Sequence, residues 1–158
     1  MLYECVEKDN HLIVIEEYIN GDTLEEIIRK RGMLSEKETG DIAIRLCRAL
    51  SLLHSHVPAF IHRDIKPENI VITPGGEVIF IDFGTMRSYK KDSQRDTFVV
   101  GTRGTAAPEQ YGYTQTDQRT DVYAIGQTML YMATENYEQN QLSECDISRK
   151  MKKVIEKT

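Results

Sequence analysis

The segment FIHRDIKPENIVI, residues 60–72, constrains the fold of this chain more than any other stretch of its sequence. Short apolar runs at both ends predict a segment that is anchored in a protein core. Its middle instead carries polar and charged side chains, namely His62, Arg63, Asp64, Lys66, Glu68 and Asn69. A charge that is buried without a partner is costly. The segment therefore raises the question of what these groups bind.

The size and composition of the chain fit one soluble globular domain. It has 158 residues, of which 40% are hydrophobic and 28% charged. The formal net charge of -5 gives no support to a surface for nucleic acid or for anionic membranes. No apolar run approaches the ~20 residues that span a bilayer, and the first residues do not resemble a signal peptide. We therefore expect no nucleic-acid partner and no membrane segment in this chain.

The cysteines indicate neither a metal site nor a disulfide framework. Cys5, Cys47 and Cys145 are widely spaced, with no CxxC pair and no Cys/His cluster. An odd number without framework spacing is typical of free thiols that act as small hydrophobes in a reducing compartment. We therefore expect a cytoplasmic protein, and the sequence leaves open a membrane anchor in a longer parent.

The first third of the chain predicts a hairpin followed by two helices. LYECVEK and HLIVIEEYI have the composition of paired strands. GDTLEEIIRKRG predicts a short helix that Asp22 or Thr23 caps and Gly32 ends. A longer helix follows the capping-box spacing of Ser35 and Glu38. Its predicted core face consists of apolar residues three or four positions apart, Ile42, Leu46, Leu50 and Leu53.

The remainder predicts a small inserted β-hairpin and further helices. NIVIT and EVIFI flank the turn residues Pro74, Gly75 and Gly76. Residues 83–104 are poorly periodic and predict a long loop. QRTDVYAIGQTMLYMAT predicts a helix, and the tail predicts another; their apolar stripes are Val122, Ile125, Met129 and Met132, then Ile147, Met151, Val154 and Ile155. The fold class that follows is a mainly helical α+β domain.

Four residues in two motifs have the chemistry that a nucleoside triphosphate requires. A carboxylate such as Asp64 can orient a hydroxyl and accept its proton. Asn69 and Asp82 offer the hard oxygen ligands that Mg²⁺ prefers, and Lys66 offers positive charge to phosphate oxygens. Taken singly, an Asp or Asn in a loop is more often a turn former or a cap, and His62 is more often a hydrogen-bonded core residue than a base. The joint pattern, H-R-D-x-K-x-x-N and then D-F-G, is very improbable by chance.

With these motifs the chain resembles the C-terminal lobe of a eukaryotic-type serine/threonine protein kinase. EEYING resembles the hinge, so residues 1–19 would be a remnant of the small lobe and hinge, and residues 20–158 the large lobe. GTRGTAAPEQYG is more similar to the bacterial branch of the family. HRDIKPEN points to serine or threonine in a protein substrate, because tyrosine kinases and small-molecule kinases usually lack this lysine.

The resemblance implies a catalytic or binding role for each matching residue. Asp64 would be the catalytic base, and Lys66 would contact the transferred phosphoryl group. Thr102 would bridge these two side chains. The remaining matches would bind ATP and its Mg²⁺ or Mn²⁺: Asn69 and Asp82 as metal ligands, Glu17 and Ile19 as hinge residues, and Val71 as the floor of the adenine pocket.

The resemblance also implies structural and regulatory residues. Asp121 would receive backbone N–H groups of the HRD turn, and Glu109 would await an arginine partner beyond Thr158. Arg63 would face a phosphorylated loop, with Thr97 favoured over Ser88 and Ser93. Plain solvation of that loop is an equally open alternative. The other motif positions, His62 and Gly84, would hold the site in place.

The sequence departs from the family pattern in ways that limit the expected activity. A glycine-rich phosphate loop and the lysine of the small lobe would precede Met1, so we expect this chain alone to be weak or inactive. Glu16 falls at the gatekeeper position, where a carboxylate would repel a nucleotide unless it points outward. The segment from Tyr131 to Cys145 is short for the substrate-side helix region. The alternative is a pseudokinase-like lobe that binds a partner, with self-association or a separate small-lobe partner as further possibilities.

Overall fold

The computed structural model of the protein describes residues 2–9, 11–89, 101–112 and 114–158. The chain begins with strands β1 (Leu2–Lys8) and β2 (His11–Glu16), then a short strand β3 (Asp22–Thr23). Helices α1 (Leu24–Arg31) and α2 (Glu36–His54) follow. Next come β4 (Phe60–Ile61), β5 (Ile70–Ile72), β6 (Val78–Phe80) and β7 (Arg87–Ser88). Helices α3 (Gln118–Thr134) and α4 (Arg149–Ile155) complete the order. The α+β class predicted from the sequence is confirmed.

The predicted helix starts are present with their side-chain caps. Ser35 Oγ accepts a hydrogen bond from the backbone N–H of Glu38, and the Glu38 carboxylate accepts one from the backbone N–H of Ser35. Thr23 and Glu26 form the same reciprocal pair at the start of α1. Asp22, the other predicted cap, instead bonds Lys30 Nζ at 2.9 Å. These pairs satisfy backbone donors that a helix leaves open in its first turn.

The core lies between α2 and α3. Leu46 and Leu50 of α2 pack with Ile125, Met129 and Leu130 of α3 in one buried cluster. Val122, which belongs to the apolar stripe predicted for α3, is 43% exposed and lies outside this buried cluster. Among the described residues, no helix has the length and apolar composition needed to cross a membrane.

Short strands hold the loops against this helical core. β5 pairs with β6 as predicted, and β3 adds a third antiparallel strand beside β5. β4 pairs with β7, so part of the predicted long loop, residues 87–88, is strand. The last predicted helix begins at Arg149 with Ser148 as its cap, later than its apolar pattern indicates. Two-residue strands are too short for a period of two to be visible in the sequence.

The β1–β2 hairpin differs from the rest because its apolar side chains remain exposed. Ile13, Val14 and Ile15 are 46%, 50% and 45% exposed. β2 ends at Glu16, so Tyr18 and Ile19 of the predicted strand lie in a connecting segment. The proposed division into residues 1–19 and 20–158 stays a prediction.

Candidate active site

Four side chains meet in one hydrogen-bonded group, which we call the catalytic cluster: Asp64, Lys66, Asn69 and Thr102. Thr102 Oγ1 donates to Asp64 Oδ1 at 2.7 Å and accepts from Lys66 Nζ at 2.9 Å. Lys66 Nζ also lies 2.9 Å from Asp64 Oδ2. Asn69 Nδ2 donates to that same oxygen at 2.9 Å and to the Asp64 backbone carbonyl at 3.0 Å. The structure thus brings Thr102 into contact with Asp64 and Lys66, which lie far from it in the sequence.

The surroundings of Asp64 favour its ionised form. Burial raises the pKa of the carboxyl group, but hydrogen bonds from Lys66 and Thr102 and the lysine charge outweigh burial. The net pKa of Asp64 therefore lies below its usual value, because the donors stabilise the carboxylate more than burial destabilises it. The group is a carboxylate at neutral pH and is aligned by fixed donors.

Asn69 and Asp82 approach each other through the backbone. The carbonyl oxygen of Asn69 accepts a 2.9 Å hydrogen bond from the N–H of Ile81, the residue before Asp82. Asp82 has a φ of 60°, which is uncommon for a residue other than glycine. Its Oδ1 accepts from the N–H of Gly84 at 3.0 Å, a local bond that aspartate commonly makes two residues ahead. This turn leaves the Asp82 carboxylate exposed to solvent.

A buried aspartate fixes the backbone of the HRD turn. Asp121 is 0% exposed, and its two oxygens accept the backbone N–H groups of His62 and Arg63, each at 2.9 Å. His54 Nε2 lies 2.8 Å from Asp121 Oδ2. The chain adopts a φ of 71° at Arg63, a strained value that these contacts hold in place. The turn thereby presents Asp64 at a fixed position.

The His62 ring is buried beside two aromatic rings. Its centroid lies 5.2 Å from those of Phe80 and Phe83. Burial lowers the pKa of His62 below its usual value, although the carboxylates of Asp121, Asp64 and Asp82 oppose the shift. The ring is a packed core group, which is the simpler of the two roles that its sequence position allows.

Three supporting residues were not identified from the sequence. His54 contacts Asp121, as described above. Thr85 Oγ1 donates to the His62 carbonyl at 2.8 Å, and its own carbonyl accepts from Arg63 Nε at 2.7 Å. Gln110 Nε2 donates to the Arg63 carbonyl at 2.7 Å. Neither the motif nor any local sequence pattern indicates that these three residues make these contacts.

Glu109 has a partner other than the arginine that the resemblance implies. The carboxylate is half-buried, and Thr120 Oγ1 donates to it at 2.7 Å. The pairing of Glu109 with an arginine stays a prediction, and in the described part of the chain Thr120, at the start of α3, supplies a hydroxyl donor instead.

The residues predicted to contact the adenine base of ATP lie outside the catalytic cluster. Val71 is buried in β5, whereas Glu17 is exposed and Ile19 half-buried in the segment after β2. Glu16 has an exposed carboxylate. Among the predicted phosphorylation sites, Ser88 lies in β7, while Ser93 and Thr97 fall outside the described residues.

Cys5, Cys47 and Cys145 are free, and the first two are exposed rather than packed.

The donor set at Asn69 and Asp82 suits a divalent cation bound together with phosphate. Both hydrogen bonds that orient the Asn69 amide use Nδ2, so its oxygen points away from Asp64. No group of three or more His, Cys, Asp or Glu residues forms a metal-binding cluster within the described ranges. Mg²⁺ typically takes one or two carboxylates and completes its shell with water and phosphate oxygens. One amide and one exposed carboxylate match that requirement.

Comparisons with known proteins give one consistent result. A family model described as protein kinase domain matches residues 1–157. The chain is 36% identical over 128 residues, 80% of its length, to a probable serine/threonine-protein kinase of Clostridium perfringens. It is 32% identical over 140 residues, 84% of its length, to the serine/threonine-protein kinase PknA of Nostoc.

Similarity extends to eukaryotic proteins. A dual specificity mitogen-activated protein kinase kinase of Drosophila melanogaster is 32% identical over 135 residues, 85% of this chain. The matched regions cover 18%, 24% and 33% of these three relatives. The chain therefore spans a third or less of the length of each of them.

Proposed function

The chain belongs to the protein kinase domain family, and on that premise we propose that it is the phosphoryl-transfer half of a serine/threonine protein kinase. The reaction moves the γ-phosphoryl group of ATP to a serine or threonine hydroxyl of a protein substrate. The observation that supports this most is the bridge formed by the Thr102 hydroxyl between Asp64 and Lys66. It holds the proposed base, Asp64, close to the cation of Lys66. Phosphoryl transfer depends mainly on such positioning.

Asp64 orients the accepting hydroxyl and takes its proton. Among the described residues, Oδ1 receives one hydrogen bond, from Thr102, whereas Oδ2 receives Asn69 and Lys66. A carboxylate oxygen accepts two donors, so Oδ1 has room for the substrate hydroxyl. The lowered pKa keeps Asp64 ionised. The hydroxyl proton moves to this carboxylate as the hydroxyl oxygen bonds to the γ-phosphorus and the bond from that phosphorus to ADP breaks.

Lys66 stabilises charge on the transferred group. Its ammonium group has three N–H donors, and two of them are directed to Thr102 and Asp64. No other described residue receives the third, which can therefore donate to a phosphoryl oxygen, where a fixed cation stabilises the developing charge. Asn69 and Asp82 would hold Mg²⁺, which supplies charge neutralisation to the phosphates when bound.

We also propose that this chain alone is weak or inactive. The catalytic cluster is complete, but the hinge residues Glu17 and Ile19 adjoin an exposed hairpin, so little protein surface surrounds a nucleotide base there. Poor positioning of the triphosphate lowers the rate even when the catalytic groups are present. The alternative, a lobe that binds a partner without chemistry, is favoured by the exposed apolar residues of the β1–β2 hairpin.

Thermal unfolding with Mg²⁺ and ATP tests whether the site binds nucleotide. A ligand at 100 times its Kd raises the free energy of unfolding by about 2.7 kcal/mol. We expect a measurable increase in Tm with Mg²⁺-ATP, and a smaller one for Asp82→Asn, which weakens the metal site. Asp146→Asn, an exposed aspartate remote from the motif, is the matched control and should respond as the unchanged protein does. No shift at millimolar ATP would contradict nucleotide binding by this chain and favour the binding module.

A second experiment tests the role of Asp64. In a full-length kinase that contains this domain, Asp64→Asn should abolish transfer to a protein substrate while unfolding remains cooperative. Transfer at an undiminished rate would remove Asp64 from its role as base.

A further inference from the structure

One buried side chain, Gln110, connects the two loops that carry the catalytic cluster. It is 5% exposed. Its Nε2 donates to the Arg63 carbonyl oxygen at 2.7 Å, and its Oε1 accepts the backbone N–H of Ala107 at 2.9 Å. The first bond reaches the HRD turn. The second reaches the loop that contains Thr102, residues 101–107, which we call the Thr102 loop. A single buried amide therefore restrains the backbone of both loops.

The bond to Arg63 acts on the peptide group that leads into Asp64. The Arg63 carbonyl lies in the same planar peptide group as the N–H of Asp64, so a fixed carbonyl also fixes the direction in which the chain enters Asp64. Arg63 has a φ of 71°, and strain of this kind persists only where the surroundings hold it. Asp121 accepts the N–H of Arg63 at 2.9 Å. Gln110 restrains the same residue from its carbonyl side.

The Thr102 loop packs closely against the Gln110 amide. The Thr102 carbonyl accepts the backbone N–H groups of Thr105 and Ala106 at 3.1 and 2.9 Å, so the loop is hydrogen-bonded to itself. A Cβ atom on Gly101 would lie 3.0 Å from Gln110 Nε2 and 2.7 Å from Ala106 Cβ. The loop approaches this closely because Gly101 has no side chain. Gln110 thus adjoins the Thr102 loop at both of its ends.

These contacts and the bridge in the catalytic cluster form a closed ring. Thr102 Oγ1 donates to Asp64 Oδ1 at 2.7 Å, and Gln110 joins the backbones behind both residues. We propose that Gln110 is a positioning residue for phosphoryl transfer, which holds Asp64 and Thr102 in register by linking the HRD turn to the Thr102 loop. This inference rests on the proposed function, because it assigns Gln110 a part in that reaction. A displacement of about 1 Å at a reacting group can lower a rate about 10²-fold.

Two substitutions separate the hydrogen bonds of Gln110 from its volume. Gln110→Met keeps an unbranched side chain and removes both bonds. Gln110→Glu keeps an acceptor for Ala107, but it can donate to the Arg63 carbonyl only while its carboxyl group is protonated. The matched control is Ile155→Val, which removes one methylene from a buried residue of α4. Circular dichroism checks that each variant is folded at the assay temperature.

Steady-state kinetics of a full-length kinase that contains this domain give the first readout. We expect Gln110→Met to lower kcat about 10²-fold and to leave the KM for Mg²⁺-ATP nearly unchanged, because misalignment affects the chemical step rather than binding. Ile155→Val should lower the Tm and keep its kcat. The kcat of Gln110→Glu, divided by that of the unchanged kinase, should fall as the pH rises, because an ionised carboxylate repels the Arg63 carbonyl.

Amide hydrogen exchange of this chain without nucleotide gives a second readout that requires no activity. The informative amides are those of Arg63 and Ala106, because their acceptors, Asp121 and Thr102, are unchanged in every variant. Their exchange rates are divided by those of the α2–α3 core, which corrects for global unfolding. We expect this ratio to rise at both amides in Gln110→Met and to stay constant in Ile155→Val.

The two readouts distinguish failure of this inference from failure of the proposed function. An active kinase in which Gln110→Met keeps the kcat of Ile155→Val would overturn the positioning role. A Gln110→Glu ratio near one at every pH would do the same. Unchanged exchange ratios in Gln110→Met would show that Gln110 does not hold the two loops together. A full-length kinase that transfers no phosphate, with raised exchange ratios in Gln110→Met, would instead overturn the proposed function and remove the catalytic role of a link that exists.

Discussion

The catalytic cluster and the β1–β2 hairpin are constrained to very different degrees. Around the cluster, Asp121 is 0% exposed and holds two backbone N–H groups, and Thr102 links Asp64 to Lys66. In the hairpin, the strands pair with each other while Ile13, Val14 and Ile15 stay about half exposed. The catalytic cluster, proposed to act on phosphate, is thus preorganised, whereas the segment proposed to contact the nucleotide base is not.

Alignment of the reacting groups and affinity for nucleotide therefore depend on different regions of the molecule. A preorganised polar site incurs its ordering cost during folding, so its geometry does not depend on the ligand. An exposed hairpin with few fixed contacts adds little binding energy until another surface packs on it. We therefore expect the chain to hold a correctly arranged cluster and yet to bind ATP weakly.

The largest effect on stability should come from Asp121→Ala. The change leaves the N–H groups of His62 and Arg63 and the ring of His54 without their acceptor, and removing one partner of a buried polar network costs about 3–5 kcal/mol. Urea unfolding should show this loss. Glu16→Ala in the exposed hairpin is the comparison, with an expected change within about 0.5 kcal/mol. Equal losses at the two positions would contradict the distinction between the regions.

The next largest effect is expected at Gly21, where the chain enters the helical core from the hairpin. A Cβ at this position would lie 2.4 Å from the Ile72 carbonyl oxygen and 2.8 Å from Val71 Cγ1. Gly21→Ala should cost about 1–3 kcal/mol, because backbone and side chain must both shift. Gly75→Ala is the matched control, since its Cβ would meet nothing closer than Thr73 Oγ1 at 3.7 Å. A neutral Gly21→Ala would show that the junction is loose.

Thr102→Val tests the bridge within the cluster and should cost about 1 kcal/mol of stability, the usual value for a lost hydrogen bond. It should also raise the pKa of Asp64, because one donor to the carboxylate is removed. NMR titration of the Asp64 carboxyl carbon measures this directly. Thr114→Val, at an exposed position away from the cluster, should leave the pKa of Asp64 unchanged. An unchanged value in Thr102→Val would mean that the bridge does not support the carboxylate.

The smallest effect concerns pH. The pKa of His62 is lowered from 6.5 by burial, so the unfolded chain takes up a proton that the folded protein excludes. The contribution of His62 is constant above about pH 6.5, and stability falls as the pH drops from there toward the lower folded-state pKa. His62→Leu should flatten this part of the profile of unfolding free energy against pH. A slope that His62→Leu leaves unaltered would assign the acid sensitivity to another group.

Local chemistry explains which features the sequence could predict. The capping box of Ser35 and Glu38 and the bounds of α3 depend on residues a few positions apart, and both were predicted. The resemblance to the kinase family also implied that Thr102 would bridge Asp64 and Lys66.

Contacts between distant residues could not be predicted in the same way. His54 reaches Asp121 across 67 positions and Gln110 reaches Arg63 across 47, and no periodicity links these pairs. The hydrogen bond from Thr120 to Glu109 could not be predicted either, since hydroxyl donors are common and follow no sequence pattern. The exposure of Val122 depends on how many helices cover α3, which its own apolar stripe does not reveal.

Amide hydrogen exchange of the protein without nucleotide tests the central claim most directly. The amides of His62 and Arg63 donate to buried Asp121, and we predict that they exchange only through global unfolding, with protection equal to that of the α2–α3 core. The amides of β1 and β2 should exchange far faster through local opening. Exchange of His62 and Arg63 at the rate of the hairpin amides would contradict a preassembled site.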